Sequence, residues 1–138
     1  MNIKSSEYSE TTNNVTVGVS VSYLGEQSLA NSEECYIWSY SINICNKSDH
    51  TIKLLNRYWK ITDGRGMIDE VNGTGVVGEQ PILLPQEIFE YTSGTYLTTT
   101  SGIMEGYYEF LDEDLEEVFK VKVPMFSLDS PYCYIHPN

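Results

Sequence analysis

The chain has 138 residues, 41% of them hydrophobic, enough to bury one core and too many for a disordered segment. Its 20 acidic and 8 basic residues give a formal charge of −12, which disfavours nucleic-acid phosphates and anionic membranes and favours cations or basic partners. No apolar run approaches the roughly 20 residues of a membrane span, the first residues lack an apolar signal core, and Cys35, Cys45 and Cys133 form no C-x-x-C pair, so the expected setting is a reducing cytoplasm with no membrane insertion.

Residues 1–12 are polar and are expected to form a flexible tail. Val15, Val17, Val19, Val21 and Tyr23 then alternate with small polar residues, the period-two signature of a half-buried strand. Residues 24–34 are polar and read as a connection. From Cys35 to Asn46, the residues Tyr36, Trp38, Tyr40, Ile42 and Ile44 share one face, and Asn46 to His50 have turn chemistry. Ile52–Leu55 and Tyr58–Thr62 follow as strand segments, with Trp59 and Ile61 on one side. Asp63-Gly64-Arg65-Gly66 is a tight hairpin signal leading into Met67–Val71.

After a glycine-rich stretch, Ile82–Leu84 and Ile88–Tyr91 are short strand candidates separated by Pro85-Gln86-Glu87. Thr92 to Gly102 is rich in Thr, Ser and Gly and is expected to be a structured loop. Ile103–Leu111 and Val118–Val123 form a pair turned by Asp112-Glu113-Asp114. Pro124 and Pro131 punctuate the end, and residues 131–138 read as a C-terminal tail. The 11 tyrosines favour strands. Seven or so short strands with regular turn signals and no helix predict an all-β fold, an antiparallel two-sheet β-sandwich, with a half-open barrel as the alternative.

Catalytic signals are sparse. The histidines, His50 and His136, are placed near no nucleophile by the sequence, and a nucleophilic site needs nucleophile, base and orienter together. Cys133-Tyr134-Ile135-His136 lacks the second ligand pair of a structural zinc site. The acids Glu109, Asp112, Glu113, Asp114, Glu116 and Glu117 lack the central glycine and flanking helices of an EF-hand. They read as a solvated hairpin tip, with weak binding of a hydrated divalent ion as the alternative. The chain is therefore expected to be no enzyme, with no catalytic, cofactor-binding or metal residue assigned.

Gly73-Thr74-Gly75-Val76-Val77-Gly78 matches G-x-G-x-x-G, but the dinucleotide reading fails on context. Pro81 and Pro85 forbid the helix that should open at the third glycine. No acidic residue lies between Glu90 and Glu105 to hold a ribose. Two readings stand: an anion nest of successive backbone N–H groups, and a structural or partner-binding crossover in which Val76 and Val77 plug the core. The negative charge of the chain favours the second.

Trp59-Lys60-Ile61-Thr62-Asp63, Gly75 to Pro81, Phe89 to Gly94 and Ser101-Gly102-Ile103-Met104-Glu105-Gly106 occur in that order, and together they closely resemble the ApaG family over roughly residues 13–130. Phe126-Ser127-Leu128 fits the end of that pattern and Val15 to Ser28 its first strand. The resemblance implies a fibronectin type III-like (immunoglobulin-like) sandwich and, by association, a link to cobalt resistance and magnesium efflux. Related domains in F-box and polymerase-interacting proteins look like protein-interaction modules. No catalytic set comes with the family. Tyr58 stands where histidine is common and Thr74 where glutamate is, so two metal ligands near the loop are missing. Gln86, Thr95 and Thr100 are further departures, at positions of a frequent glycine, cysteine and proline.

The expected function is thus a non-enzymatic protein-interaction module associated with Co²⁺ and Mg²⁺ homeostasis. Its candidate surface comprises Trp59, Gly73, Gly75, Val76, Val77, Gly78, Glu79, Gln80, Pro81, Tyr91, Thr92, Ser93 and Gly94, since loops on rigid scaffolds carry binding. The alternative is a binder of a divalent cation or a metal–phosphate or nucleotide ligand through the glycine loop. No cofactor is expected beyond weak Mg²⁺ or Co²⁺ binding. The partner is an unidentified protein, and a homodimer through a sandwich edge is compatible with the pattern.

Overall fold

A computed structural model of the chain describes residues 6–28 and 33–132. Its elements are all strands: β1 (Tyr8–Thr12), β2 (Val15–Ser28), β3 (Glu34–Asn46), β4 (Ile52–Asp63), β5 (Ile68–Thr74), β6 (Ile82–Leu83), β7 (Ile88–Leu97), β8 (Ser101–Asp112) and β9 (Glu117–Asp129). They form two antiparallel sheets. Sheet A has the order β1-β2-β3-β7; sheet B has β5-β4-β8-β9, with β6 also paired to β4. This is the expected sandwich.

The inner faces follow the period-two pattern. Val15, Val17, Val19, Trp38, Tyr40, Ile42 and Ile44 of sheet A are buried against Ile52, Leu54, Trp59, Tyr108, Phe110, Val121 and Val123 of sheet B. Trp59 is the aromatic hub, edge-on to Tyr40 at 5.6 Å, to Phe126 at 6.0 Å and to Tyr108 at 6.3 Å between ring centroids. Trp38 buries its ring and donates its indole N–H to the Asp129 carbonyl at 3.0 Å, which satisfies the one polar atom the core must accommodate there.

Four segments differ from expectation. Residues 8–12 of the expected N-terminal tail are β1, paired with Val15–Val19. Asn13 and Asn14 both adopt positive φ, 50° and 63°, the two-residue turn geometry that matches strand twist and that asparagine tolerates. The expected connection after Tyr23 is strand as far as Ser28, with a bulge at Leu24. The expected Thr/Ser loop is mostly strand as well: β7 runs to Leu97 and β8 starts at Ser101. Threonine suits a pleated surface, and here Thr95 faces inward while Thr92 faces solvent. Pro124 does not stop β9, because a bulge sets Pro124 and Met125 opposite Glu105; a proline is tolerated at a bulge on an edge strand.

The two lateral sides of the sandwich are unlike. On one, β1 crosses to β9: Tyr8 packs on Phe126, the Thr12 hydroxyl accepts from Lys122 N–H, and Asn13 donates to the Lys120 carbonyl. On the other, β5 and β7 are both edge strands and share no ladder. The glycine-rich stretch connects β5 to β6 on this second, open side.

Candidate functional site

The open side contains a crevice of about 500 Å³ between the sheets. Ile61 and Val71 of sheet B and Thr95 and Leu97 of sheet A form its walls, and Met67, Ile68 and Tyr96 form its rim. These rim side chains are 68%, 55% and 62% exposed. Asp63 and Asp69 add negative charge. Asp63 is occupied by the β4–β5 turn, its carboxylate accepting from the N–H groups of Arg65 and Met67 at 2.8 and 2.9 Å.

Arg57 of β4 is not part of the crevice lining and borders a separate hollow with Gly73 and Thr74. It faces Gly73 across the β4–β5 ladder, and a side chain at Gly73 would collide with its guanidinium. The guanidinium donates to the carbonyls of Gly75 at 2.8 Å and Thr74 at 3.3 Å, tying the glycine loop to β4. Tyr91 reaches inward from β7, and its hydroxyl meets that of Tyr108 at 2.5 Å. Burial pushes both phenols well up, and the Arg57 charge pulls the other way. Arg57 thus binds the glycine loop through its hydrogen bonds and acts electrostatically on Tyr91 of β7 and Tyr108 of β8.

The loop itself is a tight reversal. Gly75 (φ 63°), Val77 (φ 41°) and Gly78 (φ 80°) are all left-handed, and a Cβ at Gly75 would strike the Glu79 carbonyl. Val76 and Glu79 exchange backbone hydrogen bonds at 2.8 and 2.9 Å, and Gly75 N–H donates to the Leu55 carbonyl at 2.8 Å. Three amides an anion nest would need are therefore already spent. Val76 is fully buried, whereas Val77 is 56% exposed, so only one of the two valines plugs the core.

The expected surface is corrected in part. Trp59 is 3% exposed and Val76 0%; both belong to the core, because Trp59 alternates inward with Leu54 beyond the bulge at Leu55. Gly73 and Gly75 serve Arg57 and the reversal. Tyr91 and Ser93 point inward, and Pro81 is half-buried with its carbonyl accepting from Leu54 N–H at 3.0 Å. Val77, Gly78, Glu79, Gln80, Thr92 and Gly94 remain at the surface. Sequence reasoning missed Met67, Ile68, Tyr96 and Arg57. A signal existed for Tyr96, which continues the alternation begun at Ile88.

A second cluster forms where the β3–β4 turn meets the β8–β9 hairpin. His50 Nδ1 lies 2.6 Å from Asp112 Oδ2, and ligand atoms of His50, Asp112 and Asp114 lie within 4.8 Å of one another. The hydrogen bond to Asp112 raises the His50 pKa, and the same bond lowers that of Asp112, whose other oxygen accepts from the Asp114 and Leu115 amides. The Ser48 hydroxyl is directed to Asn46 Oδ1 at 2.6 Å and to the His50 carbonyl, away from the imidazole. Cys133 and His136 lie outside the described residues.

The ApaG domain family matches residues 26–112. The chain belongs to the ApaG family. Among ApaG relatives, the ApaG protein of Methylocella silvestris is 50% identical over 125 residues, covering 91% of this chain and 95% of its own. That of Agrobacterium fabrum is 51% identical over 124 residues, covering 90% and 94%. A Northeast Structural Genomics Consortium X-ray structure superposes with TM-score 0.83 at 39% identity, covering 91% of this chain and 94% of that one. The crystal structure of the putative ApaA protein from Bordetella pertussis gives 0.77 at 41%, covering 85% and 94%. The ApaG match at Gly75 to Pro81 therefore falls on a loop whose glycines serve backbone geometry and the Arg57 clamp.

Proposed function

We propose that this ApaG-family chain is a non-enzymatic interaction module that docks a protein partner on its open side. The observation that carries this is the asymmetry of the sandwich. One lateral side is sealed by β1 on β9, while the other leaves Met67, Ile68 and Tyr96 exposed around an apolar crevice. Exposed apolar side chains clustered beside a groove mark interaction sites more often than isolated ones do. We further propose that the partner acts in cytoplasmic Co²⁺ and Mg²⁺ homeostasis, the association that the sequence resemblance suggests. The test is affinity capture from cell extract with the wild type and with Met67→Asp/Ile68→Asp, each first shown to keep the wild-type melting temperature. Loss of the captured protein from the variant supports the crevice; undiminished capture rejects it.

A second reading is a divalent-cation site, favoured by the cluster of His50, Asp112 and Asp114 rather than by the glycine loop. An imidazole with carboxylates suits a borderline ion such as Co²⁺. At the loop, the Arg57 guanidinium occupies the carbonyls of Thr74 and Gly75. Calorimetric titration with cobalt chloride checks it: saturable heat that disappears in His50→Gln supports the site, and no heat or unchanged heat removes it.

A further inference from the structure

Strand β7 has an edge with no protection. It is 10 residues long, carries Glu90 as its single charge, and contains neither proline nor bulge. The other edges are guarded: β1 is packed on β9, β9 is bulged at Pro124 and bears Lys120 and Lys122, and β5 carries Asp69 and Glu70. Long, unguarded edges are templates for another strand.

The ladder tells which groups are free. Lys47 N–H donates to the Asn14 carbonyl at 2.8 Å and Asn46 N–H to the Glu87 carbonyl at 3.0 Å, so along β3 the backbone groups of Cys45 and Asn43 turn to β2 and those of Ile44 and Ile42 turn to β7. Continuing the β3–β7 register, the alternation of antiparallel pairs directs the backbone groups of Phe89, Tyr91, Ser93, Thr95 and Leu97 to β3. Those of Ile88, Glu90, Thr92, Gly94 and Tyr96 point off the sheet. Their side chains lie on the outer face, beside the hydroxyls of Ser39 and Ser41.

We infer that this edge pairs with β7 of a second copy, antiparallel about a two-fold axis at Thr92, joining two four-stranded sheets into one. The register is self-complementary. Ile88, 54% exposed, meets Tyr96 of the second copy, 62% exposed, an aliphatic–aromatic cross-strand pair. Glu90 meets Gly94 instead of its own copy, and Thr92 meets Thr92. Gly94 fits this role: a Cβ there would make only an ordinary contact with the Trp38 carbonyl at 3.4 Å, so nothing within the chain requires a glycine. A glycine in an edge strand leaves room for a neighbour. The face around the axis, with Ser39, Ser41, Thr92 and Gly94, is uncharged although the chain carries −12, so Glu90 is the one acidic residue of β7 in the seam and the register sets it opposite Gly94.

The inference rests on reading the open side as the binding side, but it needs only purified protein. Sedimentation equilibrium at moderate salt should show a reversible dimer. Thr92→Lys and Thr92→Asp, solvent-facing changes, should each weaken it by about tenfold or more, because like charges then face each other across the axis. An equimolar mixture of the two should restore the dimer mass. A wild type monomeric up to about 1 mM, or a Thr92→Lys protein that dimerises unchanged, overturns the inference. Variants that dissociate but are not rescued by mixing overturn the register. A monomeric wild type that still captures a partner through Met67 and Ile68 defeats the dimer alone; a dimer whose crevice variants keep their partner defeats the proposed function alone.

Discussion

Val77 is a β-branched residue held at φ 41° with its side chain 56% exposed. The left-handed region costs an L-residue roughly 1–2 kcal/mol, and nothing buried by Val77 offsets it. Asparagine tolerates that region, so Val77→Asn should raise unfolding stability by about 1 kcal/mol in urea titration; a loss of stability would mean that the valine makes contacts its exposure does not suggest. Trp59 is the opposite case. Reading it as a surface anchor is corrected by its burial among Tyr40, Tyr108 and Phe126, and Trp59→Ala should cost about 3–5 kcal/mol. His50 carries the pH dependence. Its pKa is raised above the ordinary 6.5 by the bond to Asp112, and that of Asp112 is lowered below 3.8 by the same bond. The raised histidine contributes stability that is complete below its unfolded value and is lost as pH rises through its folded value. The depressed aspartate contributes above its unfolded value and is lost on acidification. The pair therefore supports the fold most between about pH 4 and 6.5. The melting-temperature gap between wild type and His50→Gln should narrow from about pH 5.5 to about pH 8.5; a constant gap would show that the bond is not linked to protonation.

At the scale of elements, the strands were legible where alternation is strong and charge is absent. Val15 to Tyr23 and Tyr36 to Ile44 set the inner face of sheet A directly, because a one-residue slip would expose the whole set. The same rule applied to Ile88–Leu97 would have extended β7, but Thr and Ser on both faces resemble a loop by composition, and only pairing with β3 distinguishes them. The crevice could not be read at all. It is made where β5 and β7, distant in sequence, are left side by side by sheet order, and no local pattern encodes that. β1 was hidden for a different reason: its residues are polar, and its stability comes from Tyr8 on Phe126 and from the Asn13-Asn14 turn. Deleting residues 1–12 should thus uncover Phe126 and lower stability by about 1–3 kcal/mol. Unchanged denaturation of the truncated chain would restore the tail reading.

For the whole molecule the dominant quantity is the charge of −12. Only two lysine–carboxylate pairs occur among the described residues, Lys60 to Glu105 at 3.7 Å and Lys122 to Glu10 at 4.0 Å, and exposed pairs of this kind contribute about 0–1 kcal/mol each. Acids outnumber bases by 20 to 8, and the run Glu113, Asp114, Glu116 and Glu117 gathers four of them at one hairpin. Salt weakens the few attractions and the many repulsions alike, and the excess of acids decides the sign. Raising sodium chloride from about 20 mM to about 300 mM shortens the screening length from roughly 20 Å to under 10 Å, so the melting temperature should rise. Dimerisation through β7 makes a second contribution of the same sign, since two copies of like charge approach more readily when screened. The two separate by concentration. In Thr92→Lys the salt-induced rise should persist and be independent of protein concentration, because it reports repulsion within one chain. In the wild type an added part should grow with protein concentration, as mass action requires of a folded dimer. A melting temperature that falls with salt in both proteins would mean that the ion pairs outweigh the repulsion, and that the acidic surface does not govern the stability of the fold.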